Sequence, residues 1–214
     1  TPLERCDRLA DAIGATNVFV KRDDCMGDSF GGNKIRHMEF RLADAFLNGC
    51  DAFIFTDKSN AARSTAAACA KIGMRCILLI PGHPKGFQGN LLLSHLLGAE
   101  LIFLDTSDYG EALIELEMLK KRLETAGVRP YAVQLLEWDH VSAVLSYLDV
   151  AIELVKQFDE VGVYKARLFI VTGHSHVGLQ LAVNLLDLPW HVTGVAVGQF
   201  FENDLPHAEW AKMT

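Results

Sequence analysis

Short apolar runs alternate with amphipathic stretches along nearly the whole chain, and no other feature constrains the fold as tightly. The runs 52–56, 75–80, 100–104 and 167–171 have the length of β-strands and the near-continuous apolar character of strands covered on both faces. Between them, apolar residues recur at helical spacing over 33–47, 60–72, 89–97, 109–125, 141–158 and about 177–186. Glycine or proline stands at several junctions, notably Gly49, Gly73 and Pro81-Gly82. Further strands are expected at 17–21, 130–134 and 191–197. Strands alternating with helices of this length predict an α/β protein with parallel sheets and helices on both faces.

With 214 residues, half of them apolar, the chain can bury a large core in one large domain or two small ones. A net charge of −7 and a pI near 5.6 argue against a partner held through nucleic-acid phosphates. The longest apolar runs, such as Cys76-Ile77-Leu78-Leu79-Ile80, are far too short to cross a bilayer, and no secretory signal is recognisable at the start. The five cysteines (Cys6, Cys25, Cys50, Cys69, Cys76) are odd in number and lack C-x-x-C spacing. They predict reduced thiols in a cytoplasmic protein rather than a disulfide frame or a zinc site.

Three segments have the composition of a chemical site. In Gly31-Gly32-Asn33-Lys34-Ile35-Arg36, a glycine-rich loop runs straight into an amphipathic helix with a lysine in its first turn. The positive end of a helix disfavours an ammonium and lowers its pKa. That suits a lysine acting as a neutral amine, for instance one forming a Schiff base with a cofactor aldehyde. A solvated lysine after a flexible loop is the plainer alternative. In Lys58-Ser59-Asn60-Ala61-Ala62-Arg63, Ser59 or Asn60 is a good helix N-cap, and capping alone explains both residues as well as a site role does.

The third segment is Val171-Thr172-Gly173-His174-Ser175-His176-Val177-Gly178, a strand, a turn of small residues and a helix start. Backbone N–H groups converging at such a turn can hold a phosphate without lysine or arginine. A plain strand-to-helix turn with glycines for close packing is the alternative. Ser175 also invites comparison with the nucleophile elbow of α/β-hydrolases, although Val177 occupies the place of a required glycine and only Asp187 or Asp204 with His207 follow as partners. His174 and His176 could face a metal, but no third ligand is evident.

The run Lys21-Arg22-Asp23-Asp24 followed by Gly31-Gly32-Asn33-Lys34-Ile35-Arg36, with the opening Thr1-Pro2-Leu3-Glu4, resembles the D-cysteine desulfhydrase and 1-aminocyclopropane-1-carboxylate deaminase family. That family belongs to the tryptophan-synthase-β-like, fold type II, pyridoxal-phosphate enzymes. The resemblance implies two open parallel-sheet, three-layer domains, with 45–154 inserted into a domain formed by 1–44 and 155–214, the latter incomplete. It implies pyridoxal 5'-phosphate as cofactor, with Lys34 holding its aldehyde, Asn60 touching its ring oxygen, and Ser59 working on the substrate. Thr172, Gly173, His174, Ser175 and His176 would form the phosphate cup, with Gly178 aligned to the same segment. The implied activity is deamination or desulfhydration of a small amino acid by a cytoplasmic homodimer.

Departures from the family pattern are specific. Lys58 replaces a glutamine, Ala61 replaces a histidine, and the bulky run Leu135-Leu136-Glu137-Trp138 replaces a glycine-rich substrate loop. The chain also stops soon after 191–197, where the family runs on. Cofactor binding is therefore expected to be easier to detect than turnover, and a degenerate or truncated relative serving as a binding or oligomerisation domain is the alternative.

Overall fold

The computed structural model describes residues 1–27 and 30–196. The chain divides into two compact units, one formed by Gly27–Asp139 and the other by Thr1–Met26 with His140–Thr214.

In the unit Gly27–Asp139, α2 (Asn33–Leu47) leads into a four-stranded parallel sheet. Its strands are β3 (Ala52–Thr56), β4 (Arg75–Pro81), β5 (Glu100–Leu104) and β6 (Pro130–Tyr131), in the order β5-β4-β3-β6. The register sets Ala52 against Arg75 and Thr56 against Leu79. The connections are α3 (Asn60–Ile72), α4 (Gly89–Leu96) and α5 (Tyr109–Thr125). Because side chains alternate along a strand, Phe53, Phe55, Leu78 and Ile80 pack on one face with Met38 and Ala45 of α2, Ala62, Ala66 and Cys69 of α3, and Leu91 of α4. Ile54, Ile77 and Leu79 face the other way, onto Ala112, Leu116 and Leu119 of α5. Burial on both faces explains why β3 and β4 read as continuous apolar runs.

Two expectations differ here. Strand 130–134 shortens to Pro130–Tyr131, followed by a 3-10 turn at Val133–Leu135. The side-chain amide of Gln134 takes over the sheet's role: Thr56 N–H donates to Gln134 Oε1 (2.7 Å), and Gln134 Nε2 donates to the Thr56 carbonyl (3.0 Å). The division of the chain also falls at 26/27 and 139/140, so that α2, with Lys34, belongs to the unit of Gly27–Asp139. The physical reason is that Met38 and Ala45 contribute to that unit's core.

In the other unit, β1 (Leu3–Arg5) and β2 (Phe19–Lys21) pair antiparallel around α1 (Asp7–Ile13). The long helix α6 (Trp138–Glu160) leads to β7 (Ala166–Val171), α7 (His174–Leu185) and β8 (Trp190–Val195), with β7 and β8 parallel. Tyr147, Val150, Leu154 and Phe158 of α6 pack with Leu179, Ala182 and Val183 of α7 against Trp190 and Val192. The first three residues placed before 177 in the expected loop, His174, Ser175 and His176, form the opening turn of α7. The expected last strand ends at Val195, and Val197 lies outside the described residues.

Candidate functional site

Lys34 occupies the first turn of α2, whose N-cap is Gly32 at φ 102°, a conformation that L-residues rarely adopt. No side chain caps this helix start. The Lys34 amine is half-buried and makes no hydrogen bond or ion pair among the described residues. Burial lowers its pKa below the usual lysine value, and the charge of Arg41 pushes it the same way, while Asp57 and Asp139 oppose. Arg41 lies two turns further along α2. It is buried, paired with Asp139, and has its guanidinium 6.0 Å from the centre of the Phe55 ring. A half-buried lysine biased toward the neutral amine is what covalent capture of an aldehyde requires. These residues therefore fit a cofactor that carries one.

Ser59 and Asn60 lie at the carboxyl end of β3, where parallel sheets place their ligands. Ser59 is the N-cap of α3: its Oγ accepts from Ala61 N–H (3.1 Å) and donates to Asp57 Oδ2 (2.5 Å). Asp57 Oδ1 accepts from the backbone N–H groups of Lys58 (2.7 Å) and Ser59 (2.9 Å), which closes the turn. Lys58 Nζ donates to the Pro81 carbonyl (3.2 Å). Asn60 Oδ1 accepts from Asn90 Nδ2 (3.1 Å) and from Arg63 (3.3 Å). Arg63 also donates to Asn90 Oδ1 (3.2 Å) and to the Gly31 carbonyl (3.1 Å). One guanidinium thus gathers the starts of α2, α3 and α4, and ties Asn60 to the loop that delivers Lys34.

Asp57, Asn90 and the clamping role of Arg63 escaped the sequence reading. The Asp-x-Ser spacing of an Asx turn could have revealed Asp57. Nothing in local spacing signals Asn90 or the bond from Arg63 to a carbonyl 32 positions earlier.

In the other unit, β7 ends at Val171 and α7 starts at His174, with Gly173 as its N-cap at φ 139°, again a glycine conformation with no side-chain cap. A Cβ built on Gly173 would meet nothing within 4 Å, so the turn opens outward. The first N–H groups of α7 emerge here without partners from their own helix. Thr172 anchors the turn to β8, its N–H donating to the Val195 carbonyl (3.1 Å). Ser175 is 6% exposed within the first helical turn, unlike the exposed serine of a nucleophile elbow. His174 Nε2 lies 2.8 Å from His140 Nδ1, the two rings stacked with centroids 5.0 Å apart. One ring supplies the N–H and the other the lone pair, so the contact holds a single proton. Burial lowers the pKa of His176 and favours its neutral form. Among the described residues no cluster of three or more His, Cys, Asp or Glu side chains is arranged to hold a metal.

Gly178 has a packing role in α7. A Cβ there would lie 2.2 Å from the Val144 carbonyl oxygen and 2.8 Å from Tyr147 Cβ, so the glycine serves the close crossing of α7 on α6. Gly194 of β8 similarly makes room for Thr172 and His176, whose nearest atoms would lie 2.6 and 2.7 Å from an added Cβ.

The sequence model of the pyridoxal-phosphate dependent enzyme family matches residues 1–197, and the chain belongs to that family. It is 33% identical to the D-cysteine desulfhydrase of Salmonella typhi over 217 residues, which cover 96% of this chain and 64% of that protein. Among solved structures, an ACC deaminase homologue superposes with a TM-score of 0.84 at 30% identity, over all of this chain and 64% of its own. The apo form of Escherichia coli diaminopropionate ammonia lyase superposes at 0.74 with 19% identity, which speaks for the fold alone. The fold is that of the fold type II pyridoxal-phosphate enzymes, and the chain spans slightly under two thirds of the length of these relatives.

Proposed function

We propose that this chain is the cofactor-holding part of a pyridoxal-phosphate-dependent lyase or deaminase acting on a small amino acid. The substrate class we favour is that of D-cysteine or 1-aminocyclopropane-1-carboxylate. The observation that carries the proposal is the half-buried, unpartnered Lys34 amine at a glycine-capped helix start, tied through Arg63 to Asn60. The D-cysteine desulfhydrase and ACC deaminase homologue relatives support the reaction class.

Pyridoxal phosphate, when bound, supplies an electron sink for negative charge developing at the α-carbon of an amino acid. Lys34 would hold the aldehyde carbon through Nζ, and its neutral amine would serve as a base for the α-proton. Asn60 would hold the ring oxygen. The Ser59 hydroxyl donates to Asp57, so it would work on the substrate only by turning its one O–H away from that carboxylate. The N–H groups at Gly173–Ser175 suit a phosphate monoester. Catalysis is expected to be weak or redirected, because Ala61 offers no proton where the family has a histidine.

No helix among the described residues is long and apolar enough to cross a membrane. The five free cysteines support a reducing, cytoplasmic setting. Assembly as a homodimer completes the proposal and is tested by sedimentation velocity.

The functional test is titration of the 214-residue chain with pyridoxal phosphate, followed by release of ammonia or sulfide from D-cysteine and of ammonia from 1-aminocyclopropane-1-carboxylate. A saturable visible band with slow release supports the reading. Lack of any band removes it, and labelling of Ser175 by a fluorophosphonate would point to hydrolase chemistry instead.

A further inference from the structure

An asparagine side chain presents a donor and an acceptor that look alike in shape, so a site using one of them must fix which way the amide faces. At Asn60 that choice is made by Arg63. A guanidinium can only donate, and here it donates to Asn60 Oδ1 (3.3 Å) and Asn90 Oδ1 (3.2 Å) at once. With Asn90 Oδ1 held in this way, its Nδ2 is left to donate to Asn60 Oδ1 (3.1 Å). Flipping the Asn60 amide would set its N–H groups against two donors. Asn60 Nδ2 therefore faces outward, and it donates to no described residue. The remaining reach of the same guanidinium goes to the Gly31 carbonyl (3.1 Å), three residues before Lys34.

We infer that Arg63 is a positioning residue that fixes the amide polarity of Asn60, so that the cofactor's ring oxygen meets an N–H donor, and holds that donor in register with the Lys34 loop. The inference rests on the proposed reading of Lys34 and Asn60 as cofactor-holding residues. A purely structural Arg63 would tie α2, α3 and α4 together without regard to which atom Asn60 presents. Polarity and tethering are separable because Arg63 contacts Asn60 and Gly31 through different nitrogens.

The test compares the wild-type chain with Arg63→Gln, Arg63→Lys, Asn60→Ala and the double variant Arg63→Gln/Asn60→Ala. Readouts are the pyridoxal phosphate dissociation constant, the pH midpoint of the visible band, and the Tm without cofactor. Arg63→Gln should weaken binding by about tenfold, the size of one hydrogen bond to a charged acceptor. It should also raise the pH midpoint by about one unit, because a ring oxygen deprived of its donor holds a proton more tightly. The double variant should be no worse than either single change, since both remove the same contact. Arg63→Lys should not rescue, because an ammonium lacks the planar fork that reaches both amides. Additive losses, or a fall in Tm with an unmoved pH midpoint, would overturn the inference. If Arg63→Gln does not fold, Asn90→Ala removes the second donor to Asn60 and should move the midpoint the same way by less. A wild-type chain that takes up no pyridoxal phosphate would instead overturn the reading beneath it.

Discussion

Four helix starts fall into two kinds. The helices α3 and α5 begin under side-chain caps: Ser59 Oγ accepts from Ala61 N–H at 3.1 Å, and Asp108 Oδ1 accepts from Glu111 N–H at 2.9 Å. The helices α2 and α7 begin at Gly32 and Gly173, both at positive φ and both without a side-chain cap. A side-chain oxygen at an N-cap satisfies one orphan N–H and contributes about 1 kcal/mol. The two glycine starts forgo that contribution. One of them carries a lysine biased toward neutrality, the other a turn suited to an anion. The contrast teaches that a missing cap is informative when glycine replaces it in a conformation no other residue adopts easily.

Replacing the glycines at these two starts should have the largest effect. Gly173→Asp brings a carboxylate to the α7 start and forces an L-residue to φ 139°. Affinity for pyridoxal phosphate, followed by the visible band, should fall by about a hundredfold or more, given the repulsion of a phosphate dianion. Unchanged affinity would take this turn out of the site. Gly32→Asp applies the same change beside Lys34 and should likewise suppress cofactor capture.

A smaller effect concerns stability. Lys34 titrates below 10.5 in the folded chain because burial disfavours its ammonium. The unfolded chain therefore binds more protons than the folded one between the lowered value and 10.5, and stability rises with pH across that window. Lys34→Met should raise the Tm of the cofactor-free protein by a few degrees at pH 7, at roughly 2–4 °C per kcal/mol for a chain of this size. The gain should shrink as the pH approaches 10.5, which differential scanning calorimetry at several pH values can follow. A constant gain would show that packing, not the charge, is responsible.

The smallest effect tests the capped class. Asp108→Ala should cost about 1 kcal/mol in urea unfolding and leave cofactor capture unchanged. Loss of capture would break the division between structural and functional helix starts.

Much of the lysine unit was legible because its elements announce themselves locally. The helix 33–47, strand 52–56, helix 60–72, strand 100–104 and helix 109–125 coincide with the observed α2, β3, α3, β5 and α5. Apolar periodicity and the glycines at 49 and 73 carried that information. The hairpin of β1 and β2 was only half foreseen, since Leu3–Arg5 is too short to leave a pattern. Strand 130–134 was overextended, because a side-chain amide at Gln134 replaces backbone pairing and leaves no trace in hydropathy. The packing role of Gly178 cannot be separated in sequence from a place in the phosphate turn, because glycines for ligands and glycines for helix crossings look alike there. The Arg63 clamp was invisible for a different reason. It joins residues that share no periodicity and are brought together only by the sheet.

The central claim is that the Lys34 amine, and no other lysine, captures the cofactor aldehyde. Borohydride reduction of the chain after incubation with pyridoxal phosphate, followed by peptide mapping, tests it most directly. The account predicts a stable pyridoxyl adduct on Lys34 at close to one per chain. An adduct on Lys58 or Lys85 in its place, or none on Lys34, would contradict it.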